Sequence, residues 1–296
     1  MSGAYRSGFV ALVGRPNVGK STLLNCLLGQ KVSIVSDKAQ TTRNKILGVY
    51  TQDAYQMVFV DTPGIHKPKH RLGEWMRQET MEAIKEVDAV VMMTAATDAI
   101  GPGDRYIMDL LQTLQHPVFL VINKIDLAPK EAVLQCIESY RRLYPFAAVI
   151  PICAQTGDGV NALVDELALR LPNGPQYFPD DMVTDRPERN MIAEIIREKL
   201  LLRTREELPH AVAVDIEEIT TRANGTVYVR AVIYVERDSQ KRIVIGKSGA
   251  VLRDVGRESR ADIQELMQAK VYLDVWVKVA ADWRNRKQLL QQLGYE

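Results

Sequence analysis

Two kinds of segment alternate through the first 171 residues: short apolar runs, and longer stretches with apolar positions at helical spacing. The runs at Phe9–Val13, Lys45–Tyr50, Tyr55–Asp61, Ala89–Thr94, Val118–Asn123 and Ala147–Cys153 predict strands. The stretches at Ser21–Leu28, Arg71–Ile84, Asp104–Leu114, Lys130–Arg142 and Val160–Leu171 predict helices. Such alternation specifies an α/β architecture, a mainly parallel sheet with helices on both faces. From Pro172 to Pro187 the periodicity stops, and prolines, Gly174 and several aspartates mark a linker. Beyond it the order becomes α+β. A helix (Glu188–Leu202), two strands (Ala211–Thr220 and Thr226–Val235), a helix pair meeting around Gly246 and Gly249, a strand (Lys270–Val279) and a terminal helix are predicted. Asn224-Gly225 between the first two of those strands is a hairpin signal. The expected boundaries are a first domain over 1–172, a linker over 173–186 and a second domain over 187–296. Trp276 alternates with apolar neighbours and is expected in the core.

Composition narrows the class. A chain of 296 residues can bury two cores, and its net charge of +1 confines any nucleic-acid surface to a local patch. Three cysteines, Cys26, Cys136 and Cys153, at unrelated spacings fit a reducing compartment rather than a disulfide framework. The amino-terminal stretch has no signal h-region, and the apolar run Ala89–Ala96 is too short to cross a bilayer, so a soluble cytoplasmic protein is expected.

The candidate chemistry begins where the first strand ends. Gly14-Arg15-Pro16-Asn17-Val18-Gly19-Lys20-Ser21-Thr22 lies between that strand and the first helix, the context of a phosphate-binding P-loop. Its backbone N–H groups and the helix dipole would face the phosphates of a nucleoside triphosphate, with Lys20 on the β- and γ-phosphates and Ser21 on Mg²⁺. The loop alone leaves ATPases, small-molecule kinases and GTPases open. Asn123-Lys124-Ile125-Asp126 follows a later strand, at the carboxyl end where α/β sheets bind ligands. Asp126 can accept from both guanine N1–H and the 2-amino group, a pair of donors adenine lacks, which selects GTP and GDP. Asn123 would brace the two loops and the Lys124 stem would pack over the base. Asp61-Thr-Pro-Gly64 places a carboxylate near Mg²⁺ and the Gly64 N–H near the γ-phosphate, and Thr42, in Ala39-Gln-Thr-Thr-Arg43, would join the Mg²⁺ shell while triphosphate is bound.

Together these motifs resemble a Ras-like, P-loop NTPase G domain over the first 172 residues, and the whole chain resembles the Era family of bacterial GTPases. The resemblance implies a GTPase whose catalytic set is Lys20, Thr42, Asp61, Gly64 and Asn17, with Asp61 acting on Mg²⁺ through water. The fifth motif stands as Cys153-Ala154-Gln155, in which the Ala154 N–H would meet guanine O6. Where Ras-like enzymes carry a water-orienting glutamine this chain has Ile65, and Asn17, by likeness to related GTPases, would help bind K⁺ instead.

In the second domain, Arg242-Ile-Val-Ile245-Gly246-Lys247-Ser248-Gly249 supplies a Gly-x-x-Gly loop. Lys241, Arg242, Lys247 and Arg253 surround it without an acidic residue. The loop and element order resemble a type II KH domain, which clamps single-stranded RNA by its backbone. Single-stranded RNA is therefore expected over DNA. The Era resemblance implies the 3′ end of small-subunit ribosomal RNA, 30S subunit assembly and rRNA maturation. A second expectation is a GTP-timed scaffold that docks protein, or the inner membrane peripherally, through the second domain.

Overall fold

In the computed structural model the apolar runs of the first half lie side by side. Strands β1 (Arg6–Gly14), β2 (Ile46–Gln52), β3 (Tyr55–Asp61), β4 (Ala89–Ala95), β5 (Val118–Asn123) and β6 (Ala148–Pro151) form one sheet in the order β2-β3-β1-β4-β5-β6. Every pairing is parallel except the hairpin β2–β3. Helices α1 (Lys20–Leu28), α2 (Arg71–Ala83), α3 (Pro102–Leu111), α4 (Lys130–Arg141) and α5 (Val160–Ala168) cover it. Strand alternation divides the core: Val10 and Leu12 pack with residues of α1 and α5, whereas Ala11 and Val13 pack with residues of α3 and α4. The structure describes residues 5–36, 38, 41–65, 70–204 and 208–295, and Ala39 and Gln40 of the predicted threonine segment lie outside them.

The main division of the chain into two units falls between Asp185 and Arg186, with the short segments 36–41 and 69–75 grouped with the second. The segment expected as a linker is a strap fastened to the first unit. Gly174 N–H donates to Tyr5 O (3.1 Å) and Ser7 Oγ to Pro175 O (2.6 Å). Gln56, fully buried, accepts the N–H groups of Tyr177 (2.9 Å) and Phe178 (3.0 Å) on Oε1 and donates from Nε2 to Phe178 O (2.9 Å). Along the edge strand β2, Val49 N–H meets Val183 O (2.8 Å) and Thr184 Oγ1 meets Leu47 O (2.8 Å). The strap thus satisfies backbone groups that an open sheet edge would leave to solvent.

The second unit contains α6 (Glu188–Arg203), α7 (Leu208–Ala211), β7 (Ala213–Thr221), β8 (Val227–Val235), α8 (Asp238–Ile245), α9 (Ala250–Met267), β9 (Val271–Val279) and α10 (Lys287–Gln292). Its sheet has the order β7-β8-β9, antiparallel then parallel. Gly225, at φ 78°, turns the β7–β8 hairpin as its sequence requires. Strand β7 begins two residues later than expected, because Ala211 ends a helical turn and its carbonyl accepts the buried Trp283 indole N–H (2.8 Å). The placement of Trp276 is corrected outright. Val271, Leu273, Val275 and Val277 supply β9's core-facing positions, while Trp276 is 57% exposed on the other face.

Candidate nucleotide and RNA sites

The loop after β1 is built from the close approach of backbone to side chain. Gly19 has φ 102°, and a Cβ there would lie 2.1 Å from Asn123 Nδ2. That amide donates to Val18 O (2.8 Å), and its Oδ1 accepts the Ala154 N–H (2.9 Å). Asn123, at the end of β5, therefore joins the P-loop to the fifth motif. Lys124, itself at φ 62°, reaches Asn17 O with its ammonium (2.8 Å). Asp126 sits exposed on a 3-10 turn (Ile125–Leu127), beside these two braces.

Three oxygens converge beneath the loop. The Asp61 Oδ2, wholly buried, accepts from Ser21 Oγ (2.7 Å) and Thr42 Oγ1 (3.4 Å), and the two hydroxyls are 2.9 Å apart. Ser33 Oγ adds a fourth contact, to Asp61 Oδ2 at 3.1 Å, that sequence reading missed. This hard-oxygen set fits Mg²⁺, which takes one or two protein groups and completes its shell with water and substrate phosphate. Lys20, 5% exposed, donates to the carbonyls of Gly14 (3.2 Å) and Arg15 (3.1 Å). Burial pushes its pKa down to about 8, against the opposing pull of Asp61. A phosphate beside it would favour the charged form again.

Other predicted residues have different surroundings. The side chain of Arg15, a residue of the predicted phosphate loop, is held at 3.0 Å by Asp98 and at 3.0 Å by fully buried Asp104. Asp104 also accepts the Gly101 N–H at the start of α3 (2.8 Å). The Ala154 N–H, assigned to guanine O6, is engaged by Asn123, so it must share or release that bond to meet a base. Ile65 is buried in the core, with its N–H on Gly14 O (3.2 Å), so its side chain cannot orient a water. Gly64 packs on Pro16: a Cβ would stand 3.0 Å from that ring. Val18 is a core residue, Thr22 is half-buried in α1, and Cys153 is buried with its N–H on Asp158 O (2.9 Å).

In the second unit, Gly246 (φ 74°), Ser248 (φ 52°) and Gly249 (φ 76°) turn the chain sharply between α8 and α9. A Cβ on Gly246 would lie 2.5 Å from Val251 Cγ2, which reserves that position for glycine. Lys247 and Ser248 are exposed at the tip, Arg242 is exposed on α8, and Lys241 and Ile245 are half-buried there. Beside the loop runs a groove of about 550 Å³. Leu252, Leu273 and Val275 form its apolar lining, and Arg253, Arg257 and Arg260 rim it along α9. Only Gly249 and Arg253 of the predicted set line it. Arg257 and Arg260 were missed, although their spacing of four and seven from Arg253 puts all three on one helix face.

Comparison with known proteins matches residues 9–124 to the family described as 50S ribosome-binding GTPase and residues 207–284 to the KH domain. A crystal structure of an Aquifex aeolicus Era variant bound to GDP.AlF4- is 41% identical, covers 98% of this chain and 99% of its own, and superposes with a TM-score of 0.95. An Era structure in complex with MgGDPNP and nucleotides 1506-1542 of 16S ribosomal RNA matches with the same identity, coverage and TM-score. Similarity of this degree over both units, with a Ras-like G domain followed by a KH domain, means that the chain belongs to the Era family of GTPases.

Proposed function

We propose that this protein is a GTP-hydrolysing switch that binds the single-stranded 3′ end of small-subunit ribosomal RNA and assists 30S subunit assembly and rRNA maturation. The observation that carries the reading is the pairing, in one chain, of the Ser21–Thr42–Asp61 cluster with the basic-rimmed groove beside Gly246–Gly249. Support for the RNA comes from its likeness to the Era structure holding 16S RNA.

In this reading Ser21 and Thr42 hold Mg²⁺ directly and Asp61 through water. The metal supplies charge neutralisation on the phosphates. Lys20 neutralises the β- and γ-phosphates, the P-loop amides and the Gly64 N–H orient the γ-phosphate, and the Asn123 brace holds the loop in shape. Asp126 selects guanine, and a base packed over the Lys124 stem supplies the burial that makes its selection strong. In this reading turnover is slow and rests on positioning and charge, since Ile65, buried in the core, stands where a glutamine would orient the water. In the same reading Asn17, exposed at φ 66° on the phosphate-binding loop, helps hold K⁺ there. Hydrolysis is expected to run about tenfold or more faster in K⁺ than in Na⁺, with the difference lost in Asn17→Ala; equal rates in both salts exclude the cation role.

Lys247 and the arginines of α9 hold the RNA backbone while Leu252, Leu273 and Val275 receive bases. The test is binding of the rRNA 3′ segment by the intact protein with GDP and with a non-hydrolysable GTP analogue. Different affinities support the switch, and identical ones refute the coupling. Lys247→Ala should weaken binding and reduce its salt dependence by about one phosphate contact. Gly256, in the wall of the groove, has no atom within 4 Å of a Cβ built on it. Gly256→Leu is therefore expected to raise thermal stability, helix propensity favouring it by about 1 kcal/mol. By filling the groove it should also lower RNA affinity at least about tenfold; calorimetric melting and filter binding on one preparation check both signs. Among the described residues no helix is long and apolar enough to cross a membrane, and no described feature supports membrane docking as a second reading.

A further inference from the structure

The face of the second unit's sheet opposite the core shared with α6, α8 and α9 carries, along β9 and the neighbouring part of β8, an organised set of aromatic side chains. On β9, Tyr272 and Trp276 are 54% and 57% exposed. Tyr272 stacks on Tyr228 of β8, with ring centroids 5.9 Å apart and planes 18° from parallel. The Arg222 guanidinium lies over both rings, 4.8 Å from the centroid of Tyr228 and 5.0 Å from that of Tyr272. Trp276 is held by its indole N–H on Asp274 Oδ2 (3.0 Å), the oxygen that also accepts the Tyr228 hydroxyl (3.0 Å) and faces Arg230 Nε at 3.6 Å. Charges on this face are thus largely matched among themselves, and Lys278 pairs with Glu217 at 2.8 Å. Exposed rings with fixed orientations and internally paired charges suit flat, uncharged faces more than phosphates.

Strand β9 connects this face to the groove. It is the outer strand of the sheet, paired only with β8 among the described residues, and its odd-numbered Leu273 and Val275 line the groove while its even-numbered Tyr272 and Trp276 face the other way. A strand of RNA lying in the groove has only to pass the edge of β9 to reach them. We propose that this face is a second RNA surface, on which nucleotides leaving the groove stack their bases on Trp276 and Tyr272. The inference rests on the groove's being the RNA site and extends it by a surface that reads stacking rather than charge. Continuity with the groove through one shared strand favours RNA over a protein partner.

The test uses the full-length protein with three RNAs: a four-nucleotide segment sized for the groove, and two ten-nucleotide RNAs extending it toward the 5′ or the 3′ side. One extension is expected to tighten binding to wild type about tenfold or more, with a gain that changes little with salt. Trp276→Ala should remove most of that gain and leave the four-nucleotide affinity unchanged, Tyr272→Ala should act similarly, and Trp276→Phe should keep part of it. The proposal is overturned if Trp276→Ala binds the longer RNAs as wild type does, the outcome expected of a protein-docking face. It is equally overturned if the substitution weakens all three RNAs by the same factor, which would mean it acts through the groove. Failure of the four-nucleotide RNA to bind wild type would count against the groove itself, and the ten-nucleotide comparison would still decide this surface.

Discussion

Gly19→Ala is expected to abolish useful guanine-nucleotide binding, lowering affinity about a thousandfold or more while leaving the second unit folded. The added methyl has no place to go: its ideal position is 2.1 Å from Asn123 Nδ2, and the residue's φ of 102° already disfavours any side chain. Relief would require Asn123 to withdraw, breaking its bonds to Val18 O and the Ala154 N–H together. Two buried hydrogen bonds at about 1–3 kcal/mol each, plus backbone strain of about 1–3 kcal/mol, give roughly 4 kcal/mol or more. Part of that loss is structural, so the measurement pairs nucleotide titration with thermal melting of the ligand-free protein. Retention of wild-type GDP affinity would show that the loop adapts without Asn123.

Asp126→Asn is expected to lower GTP affinity by roughly 10⁴-fold and to admit xanthosine triphosphate. In the proposed site the carboxylate would accept from two guanine donors, whereas an amide would turn its own N–H₂ toward them; xanthine presents a carbonyl at that position and would accept instead. The site tolerates the exchange. Asp126 is exposed, and its turn is fixed by backbone bonds, Ile125 N–H to Ile152 O (3.3 Å) and Leu127 N–H to Lys124 O (3.1 Å). Melting temperature should therefore be unchanged within the usual range for a surface substitution, about 0.5 kcal/mol. Competition between the two nucleotides for wild type and variant is the readout, and an unaltered preference would remove Asp126 from base selection.

Much of this is legible in the sequence itself, for physical reasons that differ by residue. Phosphate-loop and base-loop motifs are local in sequence, and the strand before each sets where they emerge, so Ser21, Asp61 and Asn123 could be placed in advance. The ties on Arg15 could not, because Asp98 lies 83 residues away and meets it only once β1 and β4 pair. Trp276 illustrates a signal read without its phase. Alternation along β9 separates Val271, Leu273 and Val275 from Tyr272, Asp274 and Trp276, and the polar members of the second set already said which face meets water. Likewise the prolines and aspartates of residues 173–185 announced an absence of regular structure, which is not an absence of anchoring. A buried glutamine 122 residues from Phe178 was needed to reveal that.

The strap also sets a tether length. A free, flexible segment of fourteen residues would have a root-mean-square span of about 20 Å and would let whatever follows it sample a wide volume at low effective concentration. With its backbone fastened from Gly174 to Thr184, only about two residues before Pro187 remain outside those anchors, and Pro187 fixes its own φ. Inserting a few glycines after Thr184 would therefore roughly double the unanchored length of the tether, whereas the same insertion within residues 179–182, between the anchors at Phe178 and Val183, would only enlarge a pinned loop.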